Sequence, residues 1–331
     1  MKDKLQRIFK GALYTTIFLI LVQTVFGVGL ATAGTYPEKP IEVIIPFPAG
    51  GRTDLNARMW ASLANQYYGV PVACINKTGG RGAPAAQYVL NAKPDGYTIF
   101  AATIGTNILW PPQGIGKYKV FDFIPIGRIS TSTMVIATSP KKPWKNIDEL
   151  IADAKKRPRK ITYGAVKGAM SQLAFLIFAR ETGTQFRHVA TEGDAPALSS
   201  ALGGHIDLYI STTTSNVVPH WKAGNLRPLA VFSDKRNPTL PETPTFKELG
   251  YNVVAGPWTG IAARRDIPDN VYKTLVKGFD QVLTEDEAFP KLMKKIGEQV
   301  DYMSGADFEK QWREQAGIYA DIIKELGLGK K

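Results

Sequence analysis

The chain has 331 residues, 44% of them hydrophobic and 21% charged, with a formal net charge of +12. That length suits two domains with a large buried core, so no metal or disulfide staple is needed. The composition excludes a disordered or fibrous chain, and the single cysteine, Cys74, excludes an internal disulfide.

Residues 1–10 carry Lys2, Lys4, Arg7 and Lys10 against one acid, Asp3. An uncharged, mostly apolar run follows from Ala12 to Leu30, and then the small-residue pattern Ala31-Thr32-Ala33-Gly34. This is the layout of a secretory signal peptide, with cleavage expected after Ala33 and a periplasmic destination. The same run is long enough to anchor the chain in a membrane if it is kept. The leader removes four positive charges and one negative, which leaves about +9 on the rest. A basic exported protein suits an anionic ligand or surface. Nucleic acid fits poorly, because the cations are scattered and no recognition helix or stacking motif is present.

In chain order, short apolar runs predict strands over 41–46, 72–77, 97–103, 123–129, 134–138, 161–165, 187–190, 206–211, 227–232 and 253–263. Between and after them, helix-like segments cover 53–68, 84–92, 147–157, 169–182, 195–203, 214–223, 244–249, 268–283, 285–297 and 305–326. The alternation predicts an α/β fold with mainly parallel sheets. Cys74 sits in the apolar stretch 70–75 with no base beside it and reads as a small core residue. Asn146 can cap the helix at 147, and Ser304 with Asp307 approximates a capping box. Phe308, Trp312, Tyr319, Ile322 and Ile323 form a core-facing stripe. The dense run Lys155-Lys156-Arg157-Pro158-Arg159-Lys160 ends a helix, where cations complement the dipole. No long linker divides the chain, so an interleaved arrangement is expected. The backbone crosses between domains near 129–134 and 250–256 on a two-strand hinge.

Four glycine-bearing turns each follow a strand and precede a helix. They are Pro48-Ala49-Gly50-Gly51-Arg52-Thr53, residues 78–84, Gly164-Ala165-Val166-Lys167-Gly168-Ala169, and Thr191-Glu192-Gly193-Asp194. Such turns lie at the carboxyl edge of a sheet, where ligands bind. Glycine admits close backbone approach, and the following helix N-terminus offers unpaired N–H groups and a positive dipole end. Two turns fall in each expected domain, which predicts a ligand in a cleft between them. No Walker lysine motif and no dinucleotide glycine spacing is present. No nucleophile elbow or zinc motif is present either, and His188, His205 and His220 share no metal-ligand spacing. Asp54 with Glu192 or Asp194 makes a possible carboxylate pair, or Asp54 simply serves its helix N-terminus.

Taken together, these motifs resemble the substrate-binding proteins of tripartite tricarboxylate transporters, the Bug receptors. The resemblance rests on "YPEKPIEVIIPFPAGGRTDLNARM" at 36–59, "INKTGGRGA" at 75–83, "YGAVKGAMSQLA" at 163–174, "RHVATEGDAPAL" at 187–198, "LGGHIDLYI" at 202–210 and "LPETPTFKELGY" at 240–251. It implies a two-lobed type II periplasmic-binding-protein-like fold with a strand hinge. Residues 34–130 and 252–331 then form one lobe and 131–251 the other. It implies a non-catalytic receptor for a small organic carboxylate, needing no cofactor or metal, working as a monomer with membrane permease subunits. Carried over by motif, the binding loops are Ala49, Gly50, Gly51, Thr53 and Asp54, and Gly164, Lys167, Ser171 and Gln172. Thr103, Gly105 and Thr106 flank the first; Glu192, Gly193, Asp194 and Ser211 flank the second. Where the family often has a cation before the fourth helix, this chain has Glu192, and its third turn carries Lys167. These two either pair on closure or read the ligand. Arg52 is expected to contribute to the field rather than touch the ligand. A sensor with a signalling partner, or an enzyme using Asp54 or Glu192 as base, are the competing readings.

Overall fold

The computed structural model describes residues 36–191, 194–212, 217–296 and 298–329. The leader expectation, on residues 1–33, lies outside them. Among the described residues, two mixed sheets are layered with helices.

The first sheet holds β1 (Ile41–Ile45), β2 (Val72–Asn76), β3 (Thr98–Thr103), β4 (Phe123–Thr131), β10 (Trp258–Arg264) and β11 (Met303–Ser304), in the order β11-β4-β10-β3-β1-β2. The second holds β5 (Met134–Thr138), β6 (Thr162–Ala165), β7 (Arg187–Ala190), β8 (Leu208–Thr212) and β9 (Arg227–Val231), in the order β7-β6-β8-β5-β9. The helices are α1 (Arg52–Tyr68), α2 (Ala83–Asn91), α3 (Ile147–Lys156), α4 (Met170–Glu181), α5 (Asp194–Leu202), α6 (Val218–Lys222), α7 (Asp269–Thr284), α8 (Ala288–Lys295) and α9 (Gly305–Glu325).

The expectation of mainly parallel sheets is corrected. β1 pairs with β2 and β3 in parallel, as β6 does with β7 and β8. β10 is antiparallel to β3 and β4, β5 to β8 and β9, and β11 to β4. The cause is the crossing between sheets. β5 and β10 each begin at the crossing, whereas their neighbours β4, β3, β8 and β9 run toward it. A second correction concerns 244–249, which forms a single turn rather than a helix. Thr245 and Glu248 cap each other's backbone amides there, and Leu249 N donates to Thr245 O. The last expected strand starts only at Trp258, because residues 251–257 take no regular structure.

The crossing is short. Only Ser132 and Thr133 separate β4 from β5, and the Ser132 amide donates to the carbonyl of Pro257 on the returning segment at 2.8 Å. Gly256 is required there, since a Cβ would come within 2.5 Å of the Ser132 carbonyl oxygen. α9 buries the expected stripe of Phe308, Trp312, Tyr319, Ile322 and Ile323. Phe308 and Trp312 meet Trp258, whose indole donates to Gln315. Asn146 and Ser304 cap α3 and α9 as their sequence context predicts.

Candidate functional site

Pro46 and Pro48 cannot donate to a strand ladder, so β1 stops at Ile45. The chain reverses at Gly50, whose φ of 79° lies in the left-handed region. Gly51 then opens α1 without any side-chain cap. Asp54 is 2% exposed, and its carboxylate turns inward. It accepts the Gly50 amide at 2.9 Å, Arg58 Nε at 2.9 Å and Asn76 Nδ2 at 2.8 Å. Burial pushes its pKa up, but the hydrogen bonds from Asn76, the Gly50 amide and Arg58 together hold it below the ordinary carboxylate value. The Gly50 amide is therefore occupied. The amides of Arg52, Thr53 and Asp54 meet no acceptor among the described residues, and they lie at the positive end of a 17-residue helix.

Arg52 is not a free cation. Its Nε donates to Glu298 Oε1 and Oε2 at 2.9 and 3.0 Å, one terminal nitrogen to Thr259 Oγ1 at 3.2 Å and the other to Ser130 Oγ at 2.9 Å. The expected contribution of Arg52 to a positive field is thus largely cancelled by Glu298.

At the end of β3, Thr103, Thr106 and Asn107 close a knot. The Thr103 amide donates to Thr106 Oγ1 and Asn107 Oδ1, both at 3.2 Å, and the two threonine hydroxyls lie 3.0 Å apart. Residues Gly105–Leu109 form one π-helical turn, which no periodicity predicted. Gly105 allows Trp110 to fold back, since a Cβ would meet its ring at 2.8 Å. Trp110 in turn sits edge-on to Phe47 of the first turn, with centroids 6.2 Å apart.

The second lobe repeats the design of the first turn. Gly168 has a φ of 73°, Ala169 opens α4 without a side-chain cap, and the Gly168 amide donates to Gln172 Oε1 at 2.7 Å. In both turns a left-handed glycine gives its amide to the side chain four residues on, an aspartate in one and a glutamine in the other. Gln172 is held by His188, whose other ring nitrogen bonds to the Ala165 carbonyl. The amides of Met170, Ser171 and Gln172 meet no acceptor among the described residues. Lys167 is exposed and pairs with no described acid. Gly164 serves packing, because a Cβ would meet Ile206 at 2.5 Å. Ser171 is half-buried, and Ser211 is buried in β8 and is not without a partner. Glu192 and Gly193 lie outside the described residues, as does the side chain of Asp194. Ala49 is exposed and Thr53 is 8% exposed beside the open amides.

Strand register decides where the turns lie. Thr103, at the carboxyl end of β3, is paired to Thr259, which also pairs with Ser130 two residues before the crossing. Thr212, at the carboxyl end of β8, is paired to Met134, the first residue after it. Thr131 and Met134 are separated by at most about 10 Å of extended chain. The carboxyl edges of both sheets therefore flank the same crossing. A direct contact spans the two sides, from Gln113 Nε2 to the Gly168 carbonyl at 3.0 Å.

One candidate nucleophile drops out of chemistry. Burial pushes the Cys74 thiol up to about 11, so it is a poor nucleophile at neutral pH. Iodoacetamide at pH 7.5 is expected to label it at least ten-fold more slowly than an unperturbed thiol, as read by mass spectrometry. Among the described residues no three of His, Cys, Asp and Glu gather as a metal site.

The description "Tripartite tricarboxylate transporter family receptor" matches residues 56–328. Protein BugT of Bordetella pertussis is 31% identical over 277 residues, covering 78% of this chain and 83% of its own. A protein encoded in the gbd 5' region of Cupriavidus necator is 30% identical over 309 residues, 91% of each chain. Among solved structures, a ligand-free TctC solute-binding protein from Polaromonas superposes with a TM-score of 0.80 at 29% identity, over 88% of this chain and 100% of its own. An R. palustris protein with adipate superposes at 0.68 with 27% identity, over 89% and 99%.

Proposed function

The chain belongs to the tripartite tricarboxylate transporter receptor family, and from that premise we propose that it is a periplasmic receptor, not an enzyme. It captures a small organic carboxylate between its lobes and delivers it to a tripartite permease. One lobe comprises residues 34–130 and 252–331, the other 131–251. Sheet membership supports the division to within one residue, since β5–β9 all fall within 131–251 and β4 of the first sheet ends at Thr131. The reading is carried by one observation. Two uncapped helix N-termini, at 52–54 and 170–172, present unpaired amides at sheet edges that flank one hinge.

The anion docks on the first set of amides, and closure adds the second. Hydrogen bonds from N–H to a carboxylate are charge-assisted and gain strength as water leaves. Only contacts made in the closed form drive closure, so the second set sets the extent of the shift. Asp54 and Gln172 shape the turns rather than touch the ligand. Thr103 and Thr106 brace the end of β3 through their own hydrogen bonds, and exposed Lys167 is assigned to a second carboxylate. The likeness to an adipate-bound relative supports a ligand of this class.

Thermal unfolding with acetate, succinate, malate, adipate and benzoate tests the reading. A ligand at a hundred times its Kd adds about 2.7 kcal/mol, a shift of about 5 °C for a chain of this size. No shift with any of them at 10 mM contradicts it. Gly50→Val has room for its side chain, but valine resists the left-handed conformation. It is expected to cost about 1–3 kcal/mol of backbone strain. Titration calorimetry should find affinity reduced more than ten-fold with the fold intact.

A further inference from the structure

We infer that Arg52 is a positioning residue that ties the first anion turn to the hinge, with Glu298 as the counter-ion that keeps the tie electrically neutral. This rests on the carboxylate reading of that turn. Arg52 is the first residue of α1, so its own amide is one of the open donors. Its guanidinium reaches three separate pieces of chain: Ser130 at the end of β4, Thr259 at the start of β10, and Glu298 after α8. Ser130 and Thr259 are fully buried and lie on the two strands that lead into and out of the crossing. Asn56 closes the circuit. It accepts from the Ser130 hydroxyl at 2.6 Å, while its amide nitrogen donates to the Arg52 carbonyl at 2.8 Å.

The arrangement holds the helix N-terminus at a fixed place relative to both hinge strands. A displacement of the turn by a bound anion is thereby passed to the strands that must bend on closure. The fork geometry of arginine suits this, because one planar group meets three acceptors at once. A bare cation beside the helix N-terminus would attract any anion. Glu298, 17% exposed and 2.9 Å from Nε, removes that excess charge and leaves recognition to the directional amides. None of this was visible as a motif, since Arg52 and Glu298 are 246 residues apart.

The test measures affinity for whichever of acetate, succinate, malate, adipate and benzoate binds the wild type most tightly. Ligand-induced compaction is followed by small-angle scattering. Arg52→Lys keeps the charge but has a single nitrogen and cannot span the three acceptors. It is expected to lose about ten-fold in affinity and to compact less on binding. Glu298→Gln unmasks the cation and is expected to gain roughly two- to ten-fold, an advantage that fades in 0.5 M salt. The double variant Arg52→Met/Glu298→Gln restores neutrality without restoring the tie, and its affinity should stay low. If Arg52→Lys or the double variant binds and compacts as the wild type does, the tie is overturned. A loss of affinity in Glu298→Gln overturns the counter-ion role. If the wild type binds none of the five, the carboxylate reading itself falls and takes this inference with it.

Discussion

Replacing Asp54 with alanine is expected to cost about 2–4 kcal/mol of stability and to reduce carboxylate affinity at least a hundred-fold. The carboxylate is buried and accepts three hydrogen bonds, from the Gly50 amide, Arg58 and Asn76. Alanine strands all three donors. Arg58 is 40% exposed and can turn to solvent, so the loss falls mainly on Gly50 and Asn76. Without the Gly50 anchor the left-handed turn has no reason to keep its shape, and the open amides lose their common direction. Asparagine is no rescue, because its NH2 group faces donors. The pH dependence follows from the sign of the shift. The folded pKa of Asp54 lies below its ordinary 3.8, so its contribution is complete above that value. It is lost as pH falls through the folded pKa. Urea unfolding should therefore separate wild type from Asp54→Ala fully at pH 6. The gap should narrow steadily below pH 3.8. A gap that widens with acid would contradict the assignment. An enzyme using Asp54 as base would need that carboxylate turned toward substrate, and here it faces its own turn.

Trp258→Ala is expected to be the most destabilising single truncation near the hinge. Trp258 is 1% exposed and opens β10 opposite Thr131. Its ring packs against Phe308 at 4.8 Å and Trp312 at 5.4 Å, and its Nε1 holds Gln315. Emptying such a site costs about 3–5 kcal/mol, with about 1 kcal/mol more for the aromatic pairs. The unfolding temperature should drop by about 10 °C or more. Trp258→Phe should recover more than half of that loss in a calorimetric scan. Because this side chain also fastens α9 to the start of the returning hinge strand, the alanine variant should show faster amide exchange at residues 256–260. Equal exchange in the two proteins would separate the packing of Trp258 from hinge order.

Much of this architecture was legible in the sequence, and the illegible parts share a cause. Strand and helix positions followed from local periodicity and punctuation, as at Pro46, Pro48 and Asn146. Strand direction did not, because β5 and β10 take theirs from a crossing that exists only in three dimensions. The turn at 244–249 carries helix-forming residues, yet its capping pair closes after one turn. The π-turn at 105–109 brings Trp110 back onto Gly105, a packing that leaves no periodic trace. The glycine turns at 48–53 and 164–169 were recognisable as strand-to-helix turns from their glycines. The roles within them were not, since Asp54 and Gln172 point at the turn's own backbone. The signal was nevertheless present, as an acceptor placed four residues after a glycine in both Gly50-x-x-x-Asp54 and Gly168-x-x-x-Gln172. Arg52 stands apart. Its partner Glu298 lies near the other end of the chain, and no local pattern announces it.

The central claim is that one carboxylate is shared by two helix N-termini. Titrating the 15N-labelled chain with adipate and following the amide resonances of residues 52–54 and 170–172 tests it directly. Both sets should move together along one saturation curve, with the adipate diamide giving no comparable shift. Movement of only one set, or equal shifts with the uncharged diamide, would contradict the account.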